Sequence, residues 1–227
     1  MTTAEDAANV LNTVSIAARK TRAARPTRAL PLLALGLVIV GAMPFYVLAE
    51  PQADQVYYPL FWSGPVGTAA GLWTMYYWLL ALPLAYAFIV WWHAKAAHRR
   101  GVKVNVSSLV VTGAAVLGLM FVCSFLYKPA FPADFVVRGL TPLLTIAFGL
   151  LVWAIVGRGR GLLTVSLIFL ASSLLASLYD LVNVTDRLGV NLPPEWDLLP
   201  NLVLCAAVLL VSSAIFAVAE RGIRHPA

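Results

Sequence analysis

Six stretches of roughly 20 apolar residues, each long enough to cross a hydrocarbon core, divide the chain. They run approximately from Ala29 to Ala49, Gly71 to Trp92, Val106 to Tyr127, Arg138 to Val156, Gly161 to Leu181 and Leu198 to Val218. A backbone inside lipid finds no water to bond, so it must satisfy its own N–H and C=O groups as a helix or as a closed barrel. None of the six shows the ~10-residue alternation of a barrel strand. The sequence therefore predicts an all-α fold, a polytopic membrane helix bundle with six transmembrane helices. Composition agrees: 61% of the 227 residues are hydrophobic and 11% charged, against ~45–50% and about 25% in a soluble domain. A soluble enzyme and a disordered chain are excluded on those figures, and two cysteines are too few for a disulfide-stapled scaffold.

Basic residues fix the expected orientation. Arg19, Lys20, Arg22, Arg25 and Arg28 precede span 1, and Lys95, Arg99, Arg100 and Lys103 lie between spans 2 and 3. Arg158 and Arg160 sit between spans 4 and 5, and Arg221 and Arg224 follow span 6. The other side holds only Lys128, Arg138 and Arg187, together with seven of the ten acids. Because Lys and Arg collect on the cytoplasmic side, both termini are expected in the cytoplasm. The chain then divides into a basic arm over 1–28, a membrane domain over 29–218 and a short tail over 219–227. Span 1 exceeds the 7–15 residues of a secretory signal core and reads as a true span. Residues Thr3 to Ala24, with Leu11, Val14 and Ala18 on one face and a Thr3-x-x-Asp6 cap, read either as a basic surface helix or as a disordered arm. The bilayer, with anionic lipid at the basic face, is the expected partner, alongside a membrane-protein partner or a second copy of the chain. The net charge of +6 is explained by orientation, so nucleic acid is not expected.

Two segments of the outer side stand apart. Glu50 to Ala70 carries Tyr57, Tyr58, Phe61 and Trp62 among prolines and glycines and suits the interface. Asn183 to Asp197 is polar and interrupted by Pro193 and Pro194, and its Asn183-Val-Thr185 sequon reads as coincidence. Trp73, Tyr76 and Tyr77 at the outer end of span 2 fit an aromatic belt.

Catalytic and metal chemistry lack their usual residues. His93, His98 and His225 all lie on the basic side, and the spans carry no His, Asp or Glu at mid-depth to bind a metal or haem. Ser63-Gly64 has no membrane histidine to activate it, and Cys123 and Cys205 form no C-x-x-C pair. Both read as buried apolar cysteines, and a disulfide between them would require spans 3 and 6 to touch. No enzyme activity and no cofactor are expected.

The hairpin of spans 4 and 5 offers one polar register. With Gly159 as the turn centre, Arg138 stands 21 residues before it and Asp180 21 residues after it, both ~31 Å away at the helical rise. Thr141 then faces Ser177, and Thr145 faces Ser173, with Asn201 nearby at the start of span 6. Arg138, Thr141, Thr145, Ser173, Ser177, Asp180 and Asn201 are therefore the candidate ligand-binding or structural polar cluster, an interhelical ladder capped by an ion pair. Pro31, Pro44, Pro83 and Pro142 interrupt three spans, as in some transport proteins, but spans 1 to 3 do not align with spans 4 to 6 as repeats. Richness in Ala, Leu, Val and Arg over Lys suits a multi-pass protein of a GC-rich bacterium, hence the bacterial cytoplasmic membrane. The expected role is a non-enzymatic scaffold, sensor or accessory subunit, the alternative a small permease with a polar site near the outer end of spans 4 and 5.

Overall fold

The computed structural model describes residues 9–14, 28–48, 69–99, 110–111, 113–115, 118, 140–157, 159–179, 181–190, 192–193 and 196–224. Among these residues all regular structure is helical. The principal helices are α1 (Ala29–Val47), α2 (Ala69–Arg99), α3 (Thr141–Val156), α4 (Arg160–Leu178), α5 (Val182–Arg187) and α6 (Leu199–Arg224). Four of them, α1, α2, α4 and α6, are long and apolar enough to cross a membrane. Their outward surfaces are as oily as their core: Leu33 and Leu37 on α1, Leu80 and Leu84 on α2, Leu167 and Ile168 on α4, and Val211 and Ile215 on α6 are all exposed. Helices apolar all round belong in lipid rather than water.

The expected boundaries shift for identifiable reasons. Span 2 was bounded at Trp92, where charge begins, yet α2 continues to Arg99 because no glycine or proline intervenes before Gly101. Lys95 lays its ammonium 4.5 Å from the Trp91 ring centroid, an arrangement that suits long basic side chains at a membrane boundary. Span 4 was expected from Arg138, but α3 begins at Thr141 with Pro142 in its first turn, where a proline's missing N–H costs nothing. Its 16 residues span about 24 Å, short of a ~30 Å hydrocarbon core. Of span 3, the described residues 110–111, 113–115 and 118 are helical; the rest lies outside the described residues.

The polar segment after span 5 contains a short helix that the sequence reading did not anticipate. α5 closes with a Schellman motif, in which Val190 N–H bonds Thr185 O at 2.9 Å and Gly189 N–H bonds Asp186 O at 3.0 Å. Gly189 adopts φ 78°, a conformation that costs glycine nothing. Asn183 of the sequon donates its amide to Tyr179 O at 3.0 Å, so this side chain satisfies a carbonyl at the end of α4.

Packing joins α2 to α1, α1 to α6, α6 to α4 and α4 to α3, and the α1–α6 contact is the most extensive. The first and last of the long helices are thus the central pair. Gly36 makes this closeness possible: an added Cβ would stand 2.8 Å from Leu210 Cδ2 and 3.4 Å from Leu209 Cβ. Small residues allow such approach between membrane helices, where dispersion rather than water expulsion drives association. Leu32 and Ile39 of α1, Leu202 and Leu209 of α6, Phe169 of α4 and Leu143 of α3 are fully buried in one continuous core, which Trp78 of α2 completes.

Polar ties set helix directions. At one end, the Arg28 N–H donates to Glu220 Oε1 at 2.7 Å, Ser213 Oγ donates to Ala29 O at 2.7 Å, and the Arg28 guanidinium rests on Gly159. The Glu220 carboxylate therefore sits where α1 presents unpaired amides and its positive dipole end. His93 meets Trp153 edge-on near the same end, their centroids 5.7 Å apart. Towards the other end, Trp78 Nε1 donates to Tyr46 Oη at 3.0 Å and the Thr74 hydroxyl to Phe45 O at 3.4 Å. Consequently α2 and α3 run in the same direction, so α3 begins at the end of the bundle opposite to the one at which α2 finishes.

Candidate functional site

Hydroxyls inside a membrane helix have a default partner, the carbonyl one turn earlier. On α4, Thr164 follows this rule with Arg160 O at 3.1 Å and Ser166 with Leu162 O at 2.8 Å. Ser173 and Ser177, further along the same helix and both buried, do not. Ser173 Oγ instead lies 4.0 Å from Cys205 Sγ on α6, at the outer limit of a hydrogen bond to sulfur. Ser177 Oγ is buried with no hydrogen-bond partner.

The facing residues on α6 are Asn201 and Cys205, both fully buried. Asn201 Oδ1 accepts the Leu181 N–H at 2.9 Å, satisfying an amide just beyond the end of α4. Two residues four apart on α4 therefore oppose two residues four apart on α6 in an antiparallel register, because side chains four apart share a helix face. The hairpin register derived from the sequence aimed the same serines at α3, whereas the polar contact Ser173 makes is with α6. Asn201, placed nearby by sequence, is an integral member of this second helix pair.

The remaining candidates fall as follows. Thr145 is buried on α3, and Thr141 opens that helix. Arg138 and Asp180 lie outside the described residues, and with them the ion pair expected to cap the ladder. Cys205 is a free thiol; Cys123 lies outside the described residues. Sequence reasoning missed Cys205 as a polar neighbour, although its place four residues after Asn201 repeats the Ser173–Ser177 spacing. It also missed the Trp78–Tyr46 tie, whose signal is the spacing of Thr74 and Trp78 on one face of α2.

Among the described residues no three His, Cys, Asp or Glu side chains group in a way that could hold a metal ion. His93 Nε2 is buried without a hydrogen-bond partner, its ring set against Trp153. The arrangement thus supplies neutral hydrogen-bonding groups in an apolar setting. The chain matches no protein-family model, no curated protein and no solved structure.

Proposed function

We propose that this chain is a non-enzymatic multi-pass protein of the bacterial cytoplasmic membrane, a scaffold, sensor or accessory subunit that crosses the bilayer six times with both termini in the cytoplasm. The observation that carries this reading is where its buried polar side chains go. Tyr77 donates to Val38 O at 2.6 Å, Trp78 to Tyr46 and Ser213 to Ala29 O, while Asn201 accepts from Leu181. Each bond joins one part of the bundle to another and leaves that polar group engaged in holding the helices together. Such ties average about 0.6 kcal/mol each in a membrane, so they set register more than they supply stability.

Six crossings are supported by the parallel course of α2 and α3, which demands a return of the chain, and by the place of Gly113 against the Tyr86 ring of α2. The cytoplasmic placement of both ends is supported by the convergence of Arg28, Gly159 and Glu220, since the basic regions of the sequence flank these three positions. Alkaline phosphatase fused after Arg224 is expected to be inactive and green fluorescent protein there fluorescent, with the opposite pair of results for fusions within residues 50–70. An active phosphatase at the C terminus overturns the orientation. The basic arm and the Lys95–Lys103 region would hold anionic lipid at roughly 1 kcal/mol per basic residue.

A small permease is the second reading, favoured by the unpartnered Ser177 hydroxyl and by Pro44 and Pro83 inside α1 and α2. Proteoliposomes containing the purified chain are expected to swell in a panel of small neutral solutes no faster than empty vesicles. Solute-selective swelling that Ser177→Leu abolishes without loss of folded protein would replace the scaffold reading with the permease.

A further inference from the structure

We infer that the α4–α6 interface around Ser177 is a binding site for an internal water molecule, which bridges the two helices one turn from each of their direct polar contacts. This goes beyond the proposed function and holds for a scaffold and a permease alike. Ser177 is 1% exposed, and Ser173, Asn201 and Cys205 are 0% exposed, so bulk solvent reaches none of them. In hydrocarbon an unpaired hydroxyl keeps the whole cost of its lost hydration. A serine in a helix escapes that cost by turning to the carbonyl four residues back, and Thr164 and Ser166 do so on this very helix. Ser177 has the same escape and does not take it, so its hydroxyl keeps its bonding capacity on the helix face it shares with Ser173.

The neighbours define the occupant. Four residues before Ser177, Ser173 meets Cys205 only at the 4.0 Å limit, so its hydroxyl keeps bonding capacity. Four residues after it, Leu181 is tied to Asn201 at 2.9 Å. These two contacts between the α4 segment and α6 bracket Ser177, one turn to either side of it. The side chains around the position, Ser173, Ser177, Asn201 and Cys205, are neutral donors and acceptors, and an ion would find no counter-charge among them. A single water, which donates and accepts and typically makes about three bonds to otherwise unsatisfied buried groups, matches the chemistry.

X-ray radiolytic labelling of the full chain in nanodiscs tests this directly, because hydroxyl radicals formed from a bound water modify the side chains beside it. Cys205, although 0% exposed, is expected to label well above Phe169, a residue equally buried on α4, after correction for intrinsic reactivity. Ser177→Ala is expected to reduce labelling of Cys205 several-fold and to lower the melting temperature. Cys205 labelling at the level of Phe169 overturns the proposal. So does a Ser177→Ala protein that labels as before, or one that melts higher, as removal of a hydroxyl with no partner of any kind would produce. Where Ser177→Ala does not accumulate, the wild-type comparison decides, and Ser173→Ala provides the second variant, again expected to reduce labelling.

Discussion

Gly36→Leu is expected to destabilise the folded protein strongly. A Cβ at this position already falls 2.8 Å from Leu210 Cδ2, and the rest of a leucine would have to enter the space held by α6. Leu210 Cδ2 is the end of a flexible side chain and can turn away, while Leu210 Cγ at 3.0 Å must shift slightly, so Gly36→Ala should cost clearly less than Gly36→Leu. Leu209 Cβ, 3.4 Å from the added carbon, is fixed to its backbone and cannot. Overpacking of this kind costs typically 1–3 kcal/mol and occasionally more, and α1–α6 is the most extensive helix contact, so a loss of about 3 kcal/mol is expected. Unfolding in bicelles measures it. Gly222→Leu, at a position with nothing within 4 Å, is the control and should leave stability unchanged. An unchanged midpoint for Gly36→Leu would mean that α1 does not pack on α6 as described.

Trp78→Ala should give the second large loss. Trp78 is 0% exposed, stacks edge-on with Tyr77 at 5.6 Å between centroids and donates to Tyr46 Oη. Truncating a buried tryptophan costs about 3–5 kcal/mol in a water-soluble core. In a bilayer the separated helices are solvated by lipid rather than water, leaving the packing component, so about 3 kcal/mol is expected. Trp78→Phe separates the contributions: it keeps much of the ring volume and loses the N–H, and should cost clearly less. The same unfolding titration distinguishes the two, and equal losses would show that the hydrogen bond, not the packed volume, anchors α2.

The contrast between these two sites explains what could be read from the sequence. The positions of the apolar helices were legible because lipid imposes one rule on every residue of a span, and α1, α2, α4 and α6 lie where the runs of Leu, Val and Ala place them. Their ends were less so. Charge stops a hydropathy stretch at Trp92 but does not stop a helix, whose backbone is indifferent to Lys95 and Arg99 so long as no breaker intervenes. The start of α3 depended on Pro142, a signal visible in the sequence but outweighed by the apolar residues before it. Least legible was the choice of neighbours. Ser173 and Ser177 have a sensible register with span 4, because the hairpin turn is short and sequence distance can be counted across it. The contact of Ser173 with α6 crosses a longer connection through α5, and no count of residues fixes a register there. Gly36 illustrates the same limit, since one glycine in an apolar stretch does not announce that α6 will rest on it.

The pairing of α1 with α6 also bears on how the molecule is assembled. A ribosome delivers α1 to the translocon well before α6, so α1 enters the bilayer without its principal companion and is surrounded by lipid until the intervening chain has been made. The Glu220 carboxylate that accepts from the start of α1 is added to the chain 192 residues after Arg28. Premature termination anywhere before α6 would therefore strand a nascent product whose first helix has no mate, and quality-control proteases would meet it as an orphan.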